Sequence, residues 1–112
     1  MGRSKKQGES RQMKYSLKVK EEAYDDINDA YVWYESQKSG LGEKLLLEIE
    51  TCFHSLSQNP YIYEVKYKNA RWGFLNKFPY VVIYEIETNA IAIYSIYHTS
   101  KSPKRWKRLF KK

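Results

Sequence analysis

Residues 15–34 read YSLKVKEEAYDDINDAYVWY, and within this stretch the spacing of apolar side chains changes from a period of two to one of about three and a half. Tyr15, Leu17 and Val19 alternate with Ser16, Lys18 and Lys20, as in a strand with one buried face. From Glu21 onward Ala23, Ile27, Ala30, Tyr31 and Tyr34 fall at helical spacing. Glu21, Glu22, Asp25 and Asp26 crowd the first turns, where the helix dipole favours negative charge. The passage predicts a strand running directly into a helix over about residues 21–35.

Working outward, Ser39-Gly40-Leu41-Gly42 breaks the helical pattern, because glycine reaches backbone angles that strain other residues. A second amphipathic stretch carries Leu45, Leu46, Ile49, Phe53 and Leu56 on one face and ends at Asn59-Pro60. The two stretches predict an antiparallel helical hairpin. Beyond Pro60 the composition turns aromatic and β-branched: Tyr61, Tyr63, Val65 and Tyr67 alternate with Ile62, Glu64, Lys66 and Lys68, which puts Lys66 and Lys68 on one strand face. Residues 78–87 form the next expected strand, Thr88-Asn89 a turn, and residues 91–97 the antiparallel return. The expected fold class is α+β: a strand, a helical hairpin, then a three-stranded antiparallel meander. One face of such a sheet covers the hairpin, and the other meets water or a partner.

With 112 residues, 42% of them hydrophobic, the chain has material for one core and not two. The expected organisation is a flexible N-terminal extension over residues 1–12, native or added ahead of a second candidate start at Met13, a domain over 13–106, and a basic tail over 107–112. The N-terminal residues lack the apolar run of a signal peptide, and the longest apolar run, residues 80–84, is too short to cross a bilayer. Neither export nor a membrane partner is expected. A single cysteine excludes an internal disulfide and a thiolate metal cluster, which fits a reducing cytoplasm.

The net charge of +7 is unevenly distributed. Residues 1–12 hold four basic residues against one acidic, residues 13–100 nine against twelve, and residues 101–112 seven against none. Such a basic end either attracts a polyanion or an acidic partner, with strong salt dependence, or is a solvated segment that aids solubility. Trp106, Leu109 and Phe110 within it favour docking, since solubility tails rarely carry aromatics.

Several segments carry a resemblance to a known family. They are Leu56-Ser57-Gln58-Asn59-Pro60 closing the hairpin, Arg71 upstream of Phe78-Pro79-Tyr80-Val81-Val82-Ile83-Tyr84, then Ile91-Ala92-Ile93-Tyr94-Ser95-Ile96-Tyr97-His98 and Ser100-Lys101-Ser102-Pro103-Lys104-Arg105-Trp106. In order and spacing they resemble the RelE/ParE toxins of bacterial type II toxin–antitoxin systems, over about residues 13–106. The resemblance implies a toxin gripped by an extended segment of a cognate antitoxin, and it divides by target. RelE-like members cut messenger RNA in the ribosome, whereas ParE-like members poison DNA gyrase and have no accepted catalytic residues. The long hairpin and the Phe-Pro-Tyr start of the strand at residue 78 resemble the ParE side. Where this chain has Pro79-Tyr80-Val81, RelE-like members carry a basic residue.

RNA cleavage needs a base for the ribose 2′-hydroxyl, cations for the phosphorane charge and an acid for the leaving oxygen. Candidate cations are Lys66, Lys68 and Arg71, and His98 is the candidate for proton transfer. Each has a quieter reading: Lys66 and Lys68 as the wet half of an amphipathic strand, Arg71 as a tether of its loop to an acidic group on the helices, His98 as a donor to a backbone carbonyl. Arg71, Lys101, Lys104, Arg105 and Trp106 are the expected contacts to a macromolecular target, and Trp106 is also placed to pack on the sheet. Tyr31, Tyr34 and Tyr84 read as core and rim residues, Cys52 as a small buried hydrophobe and His54 as its exposed neighbour. The sequence holds no phosphate-cradling glycine loop, metal-ligand spacing or nucleophile elbow, so neither a cofactor, a metal nor a small-molecule substrate is expected.

Overall fold

A computed structural model describes residues 14–99, which form β1 (Ser16–Val19), α1 (Glu21–Gln37), α2 (Leu41–Gln58), a short 3-10 turn (Pro60–Ile62), β2 (Val65–Tyr67), β3 (Ala70–Phe74), β4 (Tyr80–Ile86) and β5 (Ala90–His98). The strands make one mixed sheet in the order β1-β5-β4-β3-β2. β1 runs parallel to β5, and every other pairing is antiparallel. The α+β class and the strand–hairpin–sheet order match the sequence reading.

Two details differ from that reading. The antiparallel part has four strands, because β3 forms from Ala70–Phe74, where no strand was expected. Its alternating pattern is obscured by Gly73, which is buried against the Tyr63 ring and has no side chain to register as apolar. The stretch from residue 61 to 68 is mostly not a strand. Pro60 fixes its own φ and starts a 3-10 turn, with the Asn59 side chain accepting from the Tyr61 N–H, so pairing begins only at Val65. Lys68 sits beyond β2 at φ 52°, in the turn to β3, so Lys66 and Lys68 do not share a strand face.

The hairpin packs on one side of the sheet. Ala23 and Ala30 of α1 and Leu45, Ile49 and Leu56 of α2 meet Val82, Tyr84, Ile91, Ile93 and Ile96 in the main core. Each fully buried Leu or Ile in that layer contributes about 1.5–3 kcal/mol of transfer free energy. Strict alternation would send Ile96 to the opposite face from Ile91 and Ile93. A bulge between Ile83/Tyr84 and Ser95/Ile93 takes up Tyr94 as an extra residue and returns Ile96 to the helices. Beyond the bulge Tyr97 faces the other way, where it joins Ala70, Val81 and Ile83 in a second cluster flanked by Tyr67 and Trp72.

Three hairpin carboxylates fix the joints. Glu35 accepts from the Gly40 and Gly42 N–H groups at 2.8 and 2.9 Å, placing an anion at the start of α2 where the cap residue, Gly40 at φ 90°, offers none. A Cβ on Gly42 would stand 2.7 Å from the Tyr31 ring, so the close approach of the helices requires glycine there. Glu48 accepts from the backbone N–H groups of Asn76 and Lys77 in the β3–β4 loop. Asp26, the third, belongs to the site.

Candidate functional site

A concavity of about 340 Å³ opens where α1 crosses the end of the sheet, lined by Asp26, Asp29, Trp33, Tyr34, Tyr80 and His98 among others. The helical spacing of residues 26, 29, 30, 33 and 34 puts these α1 side chains on one side of the helix, and the Tyr80–His98 pairing of β4 with β5 forms the opposite wall. Tyr34 meets the Phe78 and Tyr80 rings edge-on, and the His98 ring stands 5.0 Å from that of Tyr80. Burial, with Tyr34 and Asp26 nearby, raises the Tyr80 phenol above its ordinary value, and burial raises Tyr34 likewise. Both stay neutral and available as hydrogen-bond donors at physiological pH.

Asp26 is 7% exposed and accepts from the Ser95 hydroxyl at 2.7 Å and the Ile96 N–H at 3.1 Å, next to the β5 bulge. The sequence reading placed it only among the acids favoured by the helix dipole. A signal was present: residue 26 lies on the stripe of Ala23, Ile27 and Ala30, so an acid there must be buried and must find donors.

The sheet's other flank is basic and apolar. Tyr61, Ile62 and Val65 are 59%, 49% and 45% exposed along the outer strand β2 and its approach, with Lys66 and Lys68 exposed beside them. The Lys68 ammonium stands over the Tyr67 ring at 5.8 Å. Arg71 is engaged twice: it donates to the Tyr63 carbonyl at 2.6 Å, and its guanidinium lies 5.0 Å from the centre of the Tyr61 ring. It therefore holds the loop before β2.

The structure brings Lys66, Lys68 and Arg71 to one flank and leaves His98 on the other. Arg71 pairs with Tyr84, and His98 pairs with Tyr80. Two strand spacings across and four residues along the sheet put their backbones roughly 16 Å apart, from about 4.8 Å per strand and about 3.3 Å per residue. An acid–base group and cations acting on one phosphodiester must reach within about 3 Å of its atoms. Lys101, Lys104, Arg105 and Trp106 lie outside the described residues. Tyr84 is fully buried, with its hydroxyl donating to the Pro60 carbonyl at 2.7 Å. Tyr31 instead reaches the surface and donates to Glu43. Cys52 is half-buried, its thiol pushed up to about 11 chiefly by desolvation, and His54 is exposed.

Among the described residues no group of three or more His, Cys, Asp or Glu is placed to hold a metal ion, and no helix is long and apolar enough to cross a membrane.

Comparison with known proteins bears on this arrangement. The family model described as "ParE toxin of type II toxin-antitoxin system, parDE" matches residues 17–103. Among solved structures, a chain of the "Chromosomal ParDE TA system from P. aeruginosa" superposes with a TM-score of 0.71 at 19% sequence identity, covering 80% of this chain and 99% of that one. At that identity the likeness concerns the fold. Comparison with curated protein sequences returns no match.

Proposed function

The chain belongs to the ParE toxin family of type II toxin–antitoxin systems, and from that premise we propose that it is toxic by binding, with DNA gyrase as its target, and that a cognate antitoxin silences it. The observation that carries the non-enzymatic reading is the separation of His98 from Lys66, Lys68 and Arg71, with Arg71 already committed to Tyr63 and Tyr61. A nuclease would need these groups on one phosphate. Binding needs only a surface, and two are present.

β2, the outer strand of the sheet among the described residues, with Tyr61, Ile62 and Val65 exposed along it and its approach, suits an extended antitoxin segment adding to the sheet. The acidic and aromatic concavity beside α1 suits a basic or aromatic side chain. Arg71, Lys101, Lys104, Arg105 and Trp106 are the proposed contacts to the DNA-bound target. The site of action is the cytoplasm.

Expressed without its antitoxin, the protein is expected to induce a DNA-damage response and leave messenger RNA intact. Cutting of ribosome-bound transcripts, abolished by His98→Ala or Lys68→Ala, would replace this reading with the RelE-like one. Neither response, together with salt-sensitive binding to bare nucleic acid, would leave a non-toxic nucleic-acid-binding module. For the antitoxin, hydrogen exchange in the complex is expected to slow at β2 and along the hairpin; protection confined to residues 1–12 would refute that placement.

A further inference from the structure

The concavity beside α1 is walled by aromatic rings set at steep angles to one another. Trp33 meets Tyr34 edge-on, with ring centres 4.9 Å apart at 88°, and Tyr34 meets Tyr80 at 6.2 Å and 65°. These walls are held without a ligand: Phe78 stands against Tyr34 at 5.1 Å, and the bonds of Asp26 to Ser95 and Ile96 hold α1 on β5. Tyr34 and Tyr80 are half-buried and Trp33 is 56% exposed, so the rings line an open recess and not a packed core. At about 340 Å³ it lies at the lower end of the range, roughly 300–1,000 Å³, in which proteins hold ligands.

Charge decides what would enter. α1 holds Glu21, Glu22, Asp25, Asp26, Asp29 and Glu35 and neither lysine nor arginine, in a chain whose net charge is +7. Asp29 lines the recess one helical turn before Trp33, exposed, and its carboxylate has no ion pair or hydrogen bond among the described residues. A phosphate would be repelled there, whereas a cation is attracted both by the carboxylate and by the π faces of the rings. Of the two basic side chains, the guanidinium fits better. It is planar, so it can lie along a ring while its N–H groups reach a carboxylate, and it is more weakly hydrated than an ammonium, so entering a half-closed recess costs it less. Because the walls are already in place, little further ordering is needed on binding.

We infer that this recess is a receptor for an arginine side chain of a protein partner, with Asp29 as its counter-ion and Trp33, Tyr34 and Tyr80 as its aromatic walls. Every group that makes the receptor stands on α1 or β4. The inference narrows the reading of the concavity as a partner contact and rests on it. It gives the α1 side of the molecule to a protein, since the charge of that helix turns a nucleic acid away.

The test is a nuclear magnetic resonance titration of the isotope-labelled full chain with the peptide acetyl-Gly-Ser-Arg-Ser-Gly-amide and with its citrulline, lysine and phenylalanine versions. The Trp33 indole N–H is expected to shift saturably with the arginine peptide, and several-fold less with citrulline, which has the same shape and no charge. The lysine peptide should bind several-fold more weakly than the arginine one, and the phenylalanine peptide more weakly still. With Asp29→Asn, and with Trp33→Ala read at the Tyr80 amide, association with the arginine peptide should fall about two- to five-fold. Both substituted positions are exposed, so the fold should be unchanged, and the Trp72 indole resonance checks it. Equal shifts with citrulline would mean that charge plays no part, and equal binding of the lysine peptide that charge alone governs; either would overturn the inference. Tightest binding of the phenylalanine peptide would also overturn it while leaving the recess a partner contact of another kind, and no saturable shift with any peptide would remove that broader reading as well. Unchanged association in both folded variants would equally overturn the inference, because the arginine would then be held elsewhere.

Discussion

The two flanks of the sheet are built from opposite materials. At the β5 flank a buried carboxylate, Asp26, locks α1 to the strand and leaves an acidic, aromatic concavity beside it. At the β2 flank a guanidinium, Arg71, holds the preceding loop, and lysines and apolar side chains stand exposed along β2 and its approach. In each case a charged group is spent on organising the flank, and the adjoining surface is left to others. The difference explains why a histidine and three cations that suggest a nuclease in one dimension make two separate surfaces in three.

The largest expected effect comes from breaking the support that the flanks share. Tyr84 is fully buried between them, and Tyr84→Ala is expected to destabilise the fold by about 3–5 kcal/mol. Tyr84→Phe, which loses only the hydrogen bond to the Pro60 carbonyl, should cost about 1 kcal/mol. Chemical denaturation of the two variants checks both, and equal losses would mean that packing around the ring is unimportant.

Asp26→Ala comes next, because it removes the charged acceptor of two buried donors, the Ser95 hydroxyl and the Ile96 N–H; a loss of about 3 kcal/mol is expected. Arg71→Ala should cost about 1 kcal/mol, since its site is only half buried and water can replace it at the Tyr63 carbonyl. A loss at Arg71 exceeding that at Asp26 would invert the comparison of the flanks.

A pH experiment probes the hairpin behind the β2 flank. Burial lifts the Cys52 thiol from its ordinary 9.0 to about 11, so the folded state holds a proton that the unfolded chain releases first. The stabilisation is therefore complete below pH 9 and is lost as pH rises through 11. The stability difference between the parent chain and Cys52→Ala should shrink across that window, and a thiol reagent at pH 8 should react with Cys52 only slowly. Rapid labelling in the folded chain would contradict the burial. Last, Lys66→Ala and Lys68→Ala should each change stability by less than about 0.5 kcal/mol, because both side chains are exposed. A larger loss would mean that the lysines help to hold the flank that they decorate.

Much of this architecture was legible in local sequence. The change of period near Lys20 placed β1 and α1, Gly40 and Gly42 marked the hairpin turn, and Thr88-Asn89 the tight turn between β4 and β5. These features are fixed by neighbours within a few residues, through backbone preference and the side on which apolar groups recur. The second strand of the meander was hidden because Gly73 makes room for the Tyr63 ring, a contact that exists only once the chain has folded.

The site was less legible for the same reason. The sequence by itself determined the residue types, the basic ends and the amphipathic faces, because these depend on composition and periodicity alone. Only the tertiary structure decided that Asp26 would be consumed by Ser95 and Ile96, some seventy residues away, and that the β5 bulge would send Ile96 and Tyr97 to opposite faces. It also decided that His98 and Arg71 would end on different flanks, since strand order and register are set by pairings between distant segments, and no local pattern of side chains encodes how far apart two strands will stand.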